Sequence, residues 1–327
     1  MKRELIFEPN GEQCHASTVL SLSGGRYMAA WFEGPKEGDA GVGIRLSMRE
    51  EGVWRRPVTI AKIRYEAHWN PVLFRISEDK IALYFKVGAS IAGWRTYVMY
   101  TDDKAEGWTA PVELVARDMS GGRGPVKNPP IMTSNGIIIA PASVERGFWD
   151  AFADISYDNG ENWERSEIVP LPDEKISDAA RGNRLGVIQP TLWETSPGRI
   201  SMLLRSNGGY IYRSDSSDWG RTWSEARKTS LANNNSGICV ARFGDGRLLL
   251  AANPTGSNWG ARNTLSLFTS MDNGETWSEP YNIEKDEGPH EFSYPTVIAL
   301  DDDSFAMTYT YDRKSIKFVS GSLADLA

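Results

Sequence analysis

Short apolar runs alternate with Gly-, Asp- and Asn-rich turns along the whole chain. Residues 18–22 and 27–32 flank a Gly24-Gly25 turn, and residues 42–48 follow a polar loop (33–41). The same grammar returns at 68–74, 81–87 and 94–100, at 124–130, 136–140 and 151–157, and at 187–193 and 200–205. It continues at 236–242, 248–253 and 265–269, and at 292–300, 305–311 and 316–319. Runs of this length, rich in aromatic and branched residues and bounded by turn formers, predict strands. No stretch carries the 3.6-residue period of a long amphipathic helix, so the chain reads as all-β. Residues 173–184 are polar and charged, break the rhythm, and predict a long loop on one face.

The turns themselves repeat. Ser270-Met271-Asp272-Asn273-Gly274-Glu275-Thr276-Trp277 has near copies at 156–163 and 216–223, and worn copies at 47–54 and 101–108. Asp and Asn side chains fold back onto a turn, Gly274 takes positive φ at no steric cost, and the closing indole anchors the hairpin in a core. The closing tryptophans, at 54, 108, 163, 223 and 277, are spaced by 54, 55, 60 and 54 residues. A period near 55 divides the 327 residues into about six units, which predicts a six-bladed β-propeller spanning 1–327 as one domain. Too few residues follow Trp277 for a complete sixth unit, so residues 4–7 are expected to supply its last strand and close the ring.

A net charge of −7 argues against a general nucleic-acid binder while leaving room for a local arginine cluster. No apolar run follows Met1-Lys2-Arg3-Glu4-Leu5 and no segment is long enough to span a bilayer. A cytoplasmic location without membrane association is therefore expected, or secretion if a leader has been removed. Cys14 and Cys239 are too few for a disulfide framework. His15, His68 and His290 lack ligand spacing, and Asp301-Asp302-Asp303 reads as a solvated turn, so neither metal nor cofactor is expected.

Polar residues, several preceding proline, recur where units begin: His68-Trp69-Asn70, Lys127-Asn128, Gln189-Pro190 and Tyr294-Pro295. First strands of propeller blades line the central channel, so these residues are predicted to converge on one site. The turns resemble the Asp-box (BNR) repeats of the sialidase superfamily, whose members are six-bladed propellers. The resemblance covers essentially the whole chain and is carried also by Trp31-Phe32-Glu33-Gly34, Gly124-Pro125, Lys127-Asn128 and Phe292-Ser293-Tyr294-Pro295. It is closest to bacterial predicted neuraminidases. The family holds a sugar carboxylate with three arginines, uses a Tyr–Glu pair as nucleophile and activator, and an Asp as acid/base. The resemblance places Arg205 and Arg262 in the arginine set, Tyr294 as nucleophile and Asp39 as acid/base. It also shows two departures: His15, beside Cys14, stands where the first arginine belongs, and Gln189 where the activating Glu belongs.

Several functions fit these residues. The first is a sialidase-like exo-glycosidase acting on an acidic oligosaccharide or glycoconjugate, with Arg205 and Arg262 clamping its carboxylate. The second is an exo-acting lyase that eliminates at a uronate of rhamnose–glucuronate type. A phenol with pKa about 10 needs a neighbouring base, which Gln189 is not, and His68, Tyr294 and His15 are then the proton carriers. The third is a sugar-binding propeller without catalysis. Asn128 and Trp69 are expected to bind substrate, Lys127, Arg146 and Arg181 to make contacts at the rim of the site, and Trp149 to offer a sugar ring an apolar face.

Overall fold

The computed structural model describes residues 1–301 and 303–326; Asp302, in the turn expected at 301–303, lies outside them. Six antiparallel sheets follow one another around a ring, forming a six-bladed β-propeller. Blade one comprises Gln13–Ser21, Tyr27–Gly34, Gly43–Glu50 and Val53–Trp54, with Val58–Ala61 also pairing to its third strand. Blade two comprises His68–Ser77, Lys80–Val87, Arg95–Thr101 and Val112–Glu113; blade three, Ile131–Met132, Ile138–Val144, Asp150–Ser156 and Glu164–Arg165. Blade four comprises Val187–Ser196, Arg199–Ser206, Tyr210–Ser216 and Arg227–Ala232; blade five, Cys239–Arg242, Leu248–Ala252, Thr264–Ser270 and Tyr281–Lys285. Blade six takes Phe292–Ala299, Ser304–Tyr311 and Ser315–Ser322 from the end of the chain and Lys2–Leu5 from its start. The closing strand thus lies slightly ahead of the 4–7 expectation. Ile6 still donates its N–H to the Ile316 carbonyl at 2.9 Å.

Blade three departs most from the reading of the sequence. Residues 124–130 form no strand, and the inner strand is reduced to Ile131–Met132. Pro129 and Pro130 lack the N–H groups that a ladder needs, so this segment pairs through isolated bonds such as Val126 N–H to the Pro141 carbonyl, 3.0 Å.

Each pair of neighbouring blades shares one buried apolar cluster, including that between blades six and one around Trp31, Ile316 and Phe318. The closing tryptophans of the repeats sit in or against these clusters. Trp163 packs edge-on to Tyr84 of the preceding blade at 6.2 Å, and Trp54 edge-on to Phe318 at 5.2 Å. Burying such rings, about 2–3 kcal/mol each, ties blade to blade.

The turns explain their own composition. Ser156 Oγ accepts the Gly160 N–H at 2.8 Å and donates to Asp158 Oδ1 at 2.9 Å. Asp158 Oδ1 also accepts the N–H groups of Glu161 (3.1 Å) and Asn162 (2.8 Å), and the Trp163 indole N–H returns to the Gly160 carbonyl at 3.0 Å. Glycine is not alone in taking positive φ: the residue before it does too, at 58° in Asn159, 64° in Trp219 and 61° in Asn273.

Candidate active site

Four inner strands carry the same irregularity. The ladder register slips between His15 and Thr18, Trp69 and Val72, Ile188 and Thr191, and Ser293 and Thr296. At each slip one non-glycine residue takes positive φ: Ala16 (54°), Asn70 (39°), Gln189 (50°) and Tyr294 (53°). Such backbone costs about 1–3 kcal/mol per residue and persists only where its surroundings enforce it. A β-bulge re-aims side chains, and here all four bulges serve the same end of the channel. They are braced across the ring. Asn128 Nδ2 donates to the carbonyls of Gln189 (3.2 Å) and Pro190 (2.9 Å), Asn70 Nδ2 to that of Val126 (2.9 Å), and Lys127 Nζ to those of Ile238 (3.2 Å) and Pro295. Lys127 therefore acts beneath the site and not at its rim, and Asn128 braces the bulges instead of lining the cavity that would hold substrate. Burial lowers the Lys127 pKa to about 8.

Above the bulges lies a cavity of about 580 Å³. Tyr294 is its floor. Arg205 Nη1 donates to the Tyr294 hydroxyl at 2.5 Å and to Gln189 Oε1 at 2.8 Å, while its Nε donates to Asn235 Oδ1 at 2.8 Å. Arg262 flanks the phenol ring, its guanidinium carbon 5.6 Å from the ring centre. A third guanidinium, Arg313, enters from the turn after blade six's second strand and also lines the cavity. Its carbonyl accepts the Cys14 N–H at 2.9 Å, so it arrives beside the segment where the sequence carries His15 in place of an arginine.

The three arginines are held differently. Glu291 accepts from Arg262 Nη1 (3.0 Å), Arg313 Nε (2.8 Å) and Ser293 Oγ (2.7 Å), and Arg313 also pairs with Glu37. Burial opposes ionisation of Glu291, but these cations hold its pKa below the ordinary value. Arg205, only 3 % exposed, has no salt-bridge partner among the described residues; its hydrogen bonds go to a phenol and two amides. His15 lies against Tyr294 with ring centres 4.2 Å apart, and its Nδ1 is hydrogen-bonded to Thr310 Oγ1 at 2.8 Å. Burial, reinforced by Arg313, Arg262, Arg205 and Lys127, holds its pKa well below the usual imidazole value, so the ring is neutral.

The cavity also has aromatic walls, and the Arg205 guanidinium carbon lies 5.6 Å from the Trp149 ring centre and 5.7 Å from that of Trp259. Trp69 and Trp94 meet edge-on at 5.9 Å, and Trp149 and Trp259 at 6.2 Å. Arg181, from the long loop, lies 3.7 Å above the Trp149 ring. The indole N–H of Trp149 is buried without a partner, and Trp259 is 58 % exposed at the mouth.

Among the residues singled out in the sequence, Tyr294, Arg205, Arg262, His15, Gln189, Trp69, Trp149 and Arg181 line this cavity. Asp39 does not. It is exposed, and its Oδ1 accepts the Gly41 N–H at 2.6 Å, closing its own loop. Glu37, two residues earlier, reaches the cavity instead. His68 is also outside: its Nε2 accepts the Ile63 N–H at 3.0 Å, its Nδ1 bonds the Glu66 carbonyl at 3.1 Å, and its ring stacks on Phe85. Both nitrogens are committed and burial lowers its pKa to about 4, so the fold uses it as a structural brace. Arg146 is exposed beside the cavity without lining it. The reading of the sequence missed Arg313, Glu145, Glu37, Glu291 and Asn235. Arg313 and Glu145 sit in or beside hairpin turns, where a charged residue is commonplace; Asn235, at φ 58° inside Asn233-Asn234-Asn235-Ser236, had the stronger signal.

A ring of Asp-box blades with this mouth is a propeller of the sialidase fold. The chain belongs to the family of the BNR repeat-like domain, which matches residues 25–307. Over 243 residues, 69 % of this chain, it is 25 % identical to a sialidase of Bacteroides fragilis, of which it spans 41 %. Over 211 residues, 57 % of the chain, it is 28 % identical to a sialidase of Vibrio cholerae, spanning 26 % of it. The chain thus spans less than half the length of these curated relatives. Its fold matches a Hadza microbial sialidase with a TM-score of 0.77 at 17 % identity, covering 96 % of this chain and 66 % of that one. It matches the NanB sialidase from Streptococcus pneumoniae with a TM-score of 0.74 at 12 % identity, covering 99 % and 71 %. At these identities the structural likeness is one of fold.

Proposed function

We propose that this chain cleaves the glycosidic bond of a terminal carboxylated sugar, sialic acid being the first candidate from the relatives it resembles. The observation that carries this reading is Arg205, a buried guanidinium in an open cavity with only neutral partners. A buried guanidinium without a salt bridge is costly, and a planar carboxylate entering the cavity supplies one in the fork geometry that arginine favours. Arg262 and Arg313, whose own charges are already shared with Glu291 and Glu37, flank the same space. In this pose the anomeric centre faces Tyr294, whose hydroxyl, accepting from Arg205, offers a lone pair to the developing cation.

One observation favours a second reading, β-elimination at a uronate: Gln189 stands 3.5 Å from the Tyr294 hydroxyl, where an activating base would serve hydrolysis, and neutral His15 lies against the same ring. The two reactions leave different products. A panel of sialosides and uronate-capped oligosaccharides, read for both new reducing ends and near-ultraviolet absorbance of an unsaturated uronate, tests them. New reducing ends without absorbance support hydrolysis; absorbance supports elimination; neither signal on any substrate refutes an enzymatic role.

A further inference from the structure

With Asp39 outside the cavity and Gln189 in place of a carboxylate, the reaction proposed above lacks an acid. Among the described residues, two carboxylates line the cavity. Glu37 is tied to Arg313 in a salt bridge. Glu145, directly after strand Ile138–Val144, makes no salt bridge among the described residues; its Oε1 accepts from Gln189 Nε2 at 3.3 Å. That same nitrogen stands 3.5 Å from the Tyr294 hydroxyl. One amide nitrogen thus bridges the carboxyl of Glu145 and the phenol, and all three residues face the same cavity. We propose that Glu145 is the acid/base of this site, a role that rests on the hydrolytic reading. Glu145 gives its proton to the leaving oxygen as the bond from the anomeric carbon to that oxygen breaks, the electron pair departing with the oxygen. The carboxylate then takes a proton from the water that adds to the anomeric carbon, which restores the acid. Tyr294 and Arg205 stay in place throughout and keep their protons.

The surroundings suit an acid. Burial raises the Glu145 pKa, against the opposing pull of the Arg205 charge, the Gln189 hydrogen bond, Arg181 from the long loop and Lys86 from blade two. A raised pKa favours the protonated form, which general acid catalysis requires. Gln189 fits the same picture, because a second carboxylate in its place would compete for the proton and its amide instead orients Glu145.

The test compares E145Q with the native chain on the methyl and 4-nitrophenyl glycosides of N-acetylneuraminic acid. Methoxide leaves poorly without a proton, whereas nitrophenolate leaves unaided. E145Q is expected to lose about 10²–10⁴-fold in kcat/KM on the methyl glycoside and less than about tenfold on the nitrophenyl one. The alkaline limb of the native pH profile on the methyl glycoside, where activity falls as Glu145 deprotonates, disappears in E145Q. Should E145Q fail to fold, E145D takes its place, with a smaller loss again confined to the methyl glycoside. Equal losses on both substrates, or an alkaline limb that survives in E145Q, overturn the role of Glu145 alone. A native protein inert towards both overturns the hydrolytic reading, and this role with it.

Discussion

Replacing Arg205 by methionine is expected to abolish function while leaving the fold intact, and Arg213 provides the control. Both arginines are 3 % exposed. Arg205 makes three hydrogen bonds to neutral groups, each worth about 1 kcal/mol net, while burying its charge costs several kcal/mol. These terms nearly cancel, so R205M should stay within about 1 kcal/mol of the native stability. Arg213 is different: it pairs with Asp215 at 2.9 Å and Glu275 at 3.1 Å and donates to the Asn273 carbonyl at 2.8 Å. Losing a fully buried pair costs about 3–5 kcal/mol; because both carboxylates are more than a third exposed, about 2 kcal/mol is expected for R213M. Activity should run the other way. Two charge-assisted bonds to a substrate carboxylate, about 1.5–3 kcal/mol each, translate into a loss of about 10²–10⁴-fold in kcat/KM for R205M, and less than about threefold is expected for R213M. Thermal unfolding beside initial rates on a cleaved substrate reads both quantities. An R205M protein that melts as low as R213M, or that keeps kcat/KM within threefold, would refute the assignment of Arg205 as an anion receptor.

Three further outcomes follow from the fold. His68→Gln should leave catalysis unchanged but flatten the pH dependence of stability. The folded pKa of about 4 lies below the unfolded value of about 6.5, so His68 costs stability progressively as pH falls through that window, by about 3 kcal/mol in all; a variant with lost turnover would restore His68 to the active site. Asp158 has the opposite sense: Asn162, through its backbone and side chain, holds the carboxyl down to about 2, so its contribution is complete above pH about 4 and lost as pH falls towards 2. The gap in melting temperature between D158N and the native chain should therefore close across that interval, and a gap unchanged at pH 2 would contradict it. Deleting residues 1–6 removes the strand paired to Ser315–Ser322 and exposes that edge, so self-association by size-exclusion chromatography is expected; a monomer of native melting temperature would show that ring closure contributes little.

The architecture was legible because it is written locally and repeatedly. Ser, Asp, Gly and Trp at fixed offsets specify a turn through bonds spanning two to four residues, so each copy announces itself without its neighbours. The pre-proline positions were legible for a related reason: Gln189-Pro190 and Tyr294-Pro295 interrupt apolar strands where polar groups have no other use. Arg313 and Glu145 could not be read this way. Their relevance comes from which turns face the channel once the ring has formed, and that placement depends on braces such as Lys127 to Pro295, 168 residues apart. Asp39 and His68 misled for the converse reason. Each stands near the right point in the chain, but a loop of its own captures its hydrogen bonds before it can face the cavity.

The pairing of Lys2–Leu5 with Ser315–Ser322 also has a consequence for biosynthesis. Lys2–Leu5 leaves the ribosome long before the strand it pairs with, and must wait unpartnered while the intervening blades are made. Until Ser315–Ser322 has been made, the nascent propeller is an open arc with two sticky ends. A bulky fusion directly ahead of Lys2 would thus interfere when the ring closes, not while the blades form.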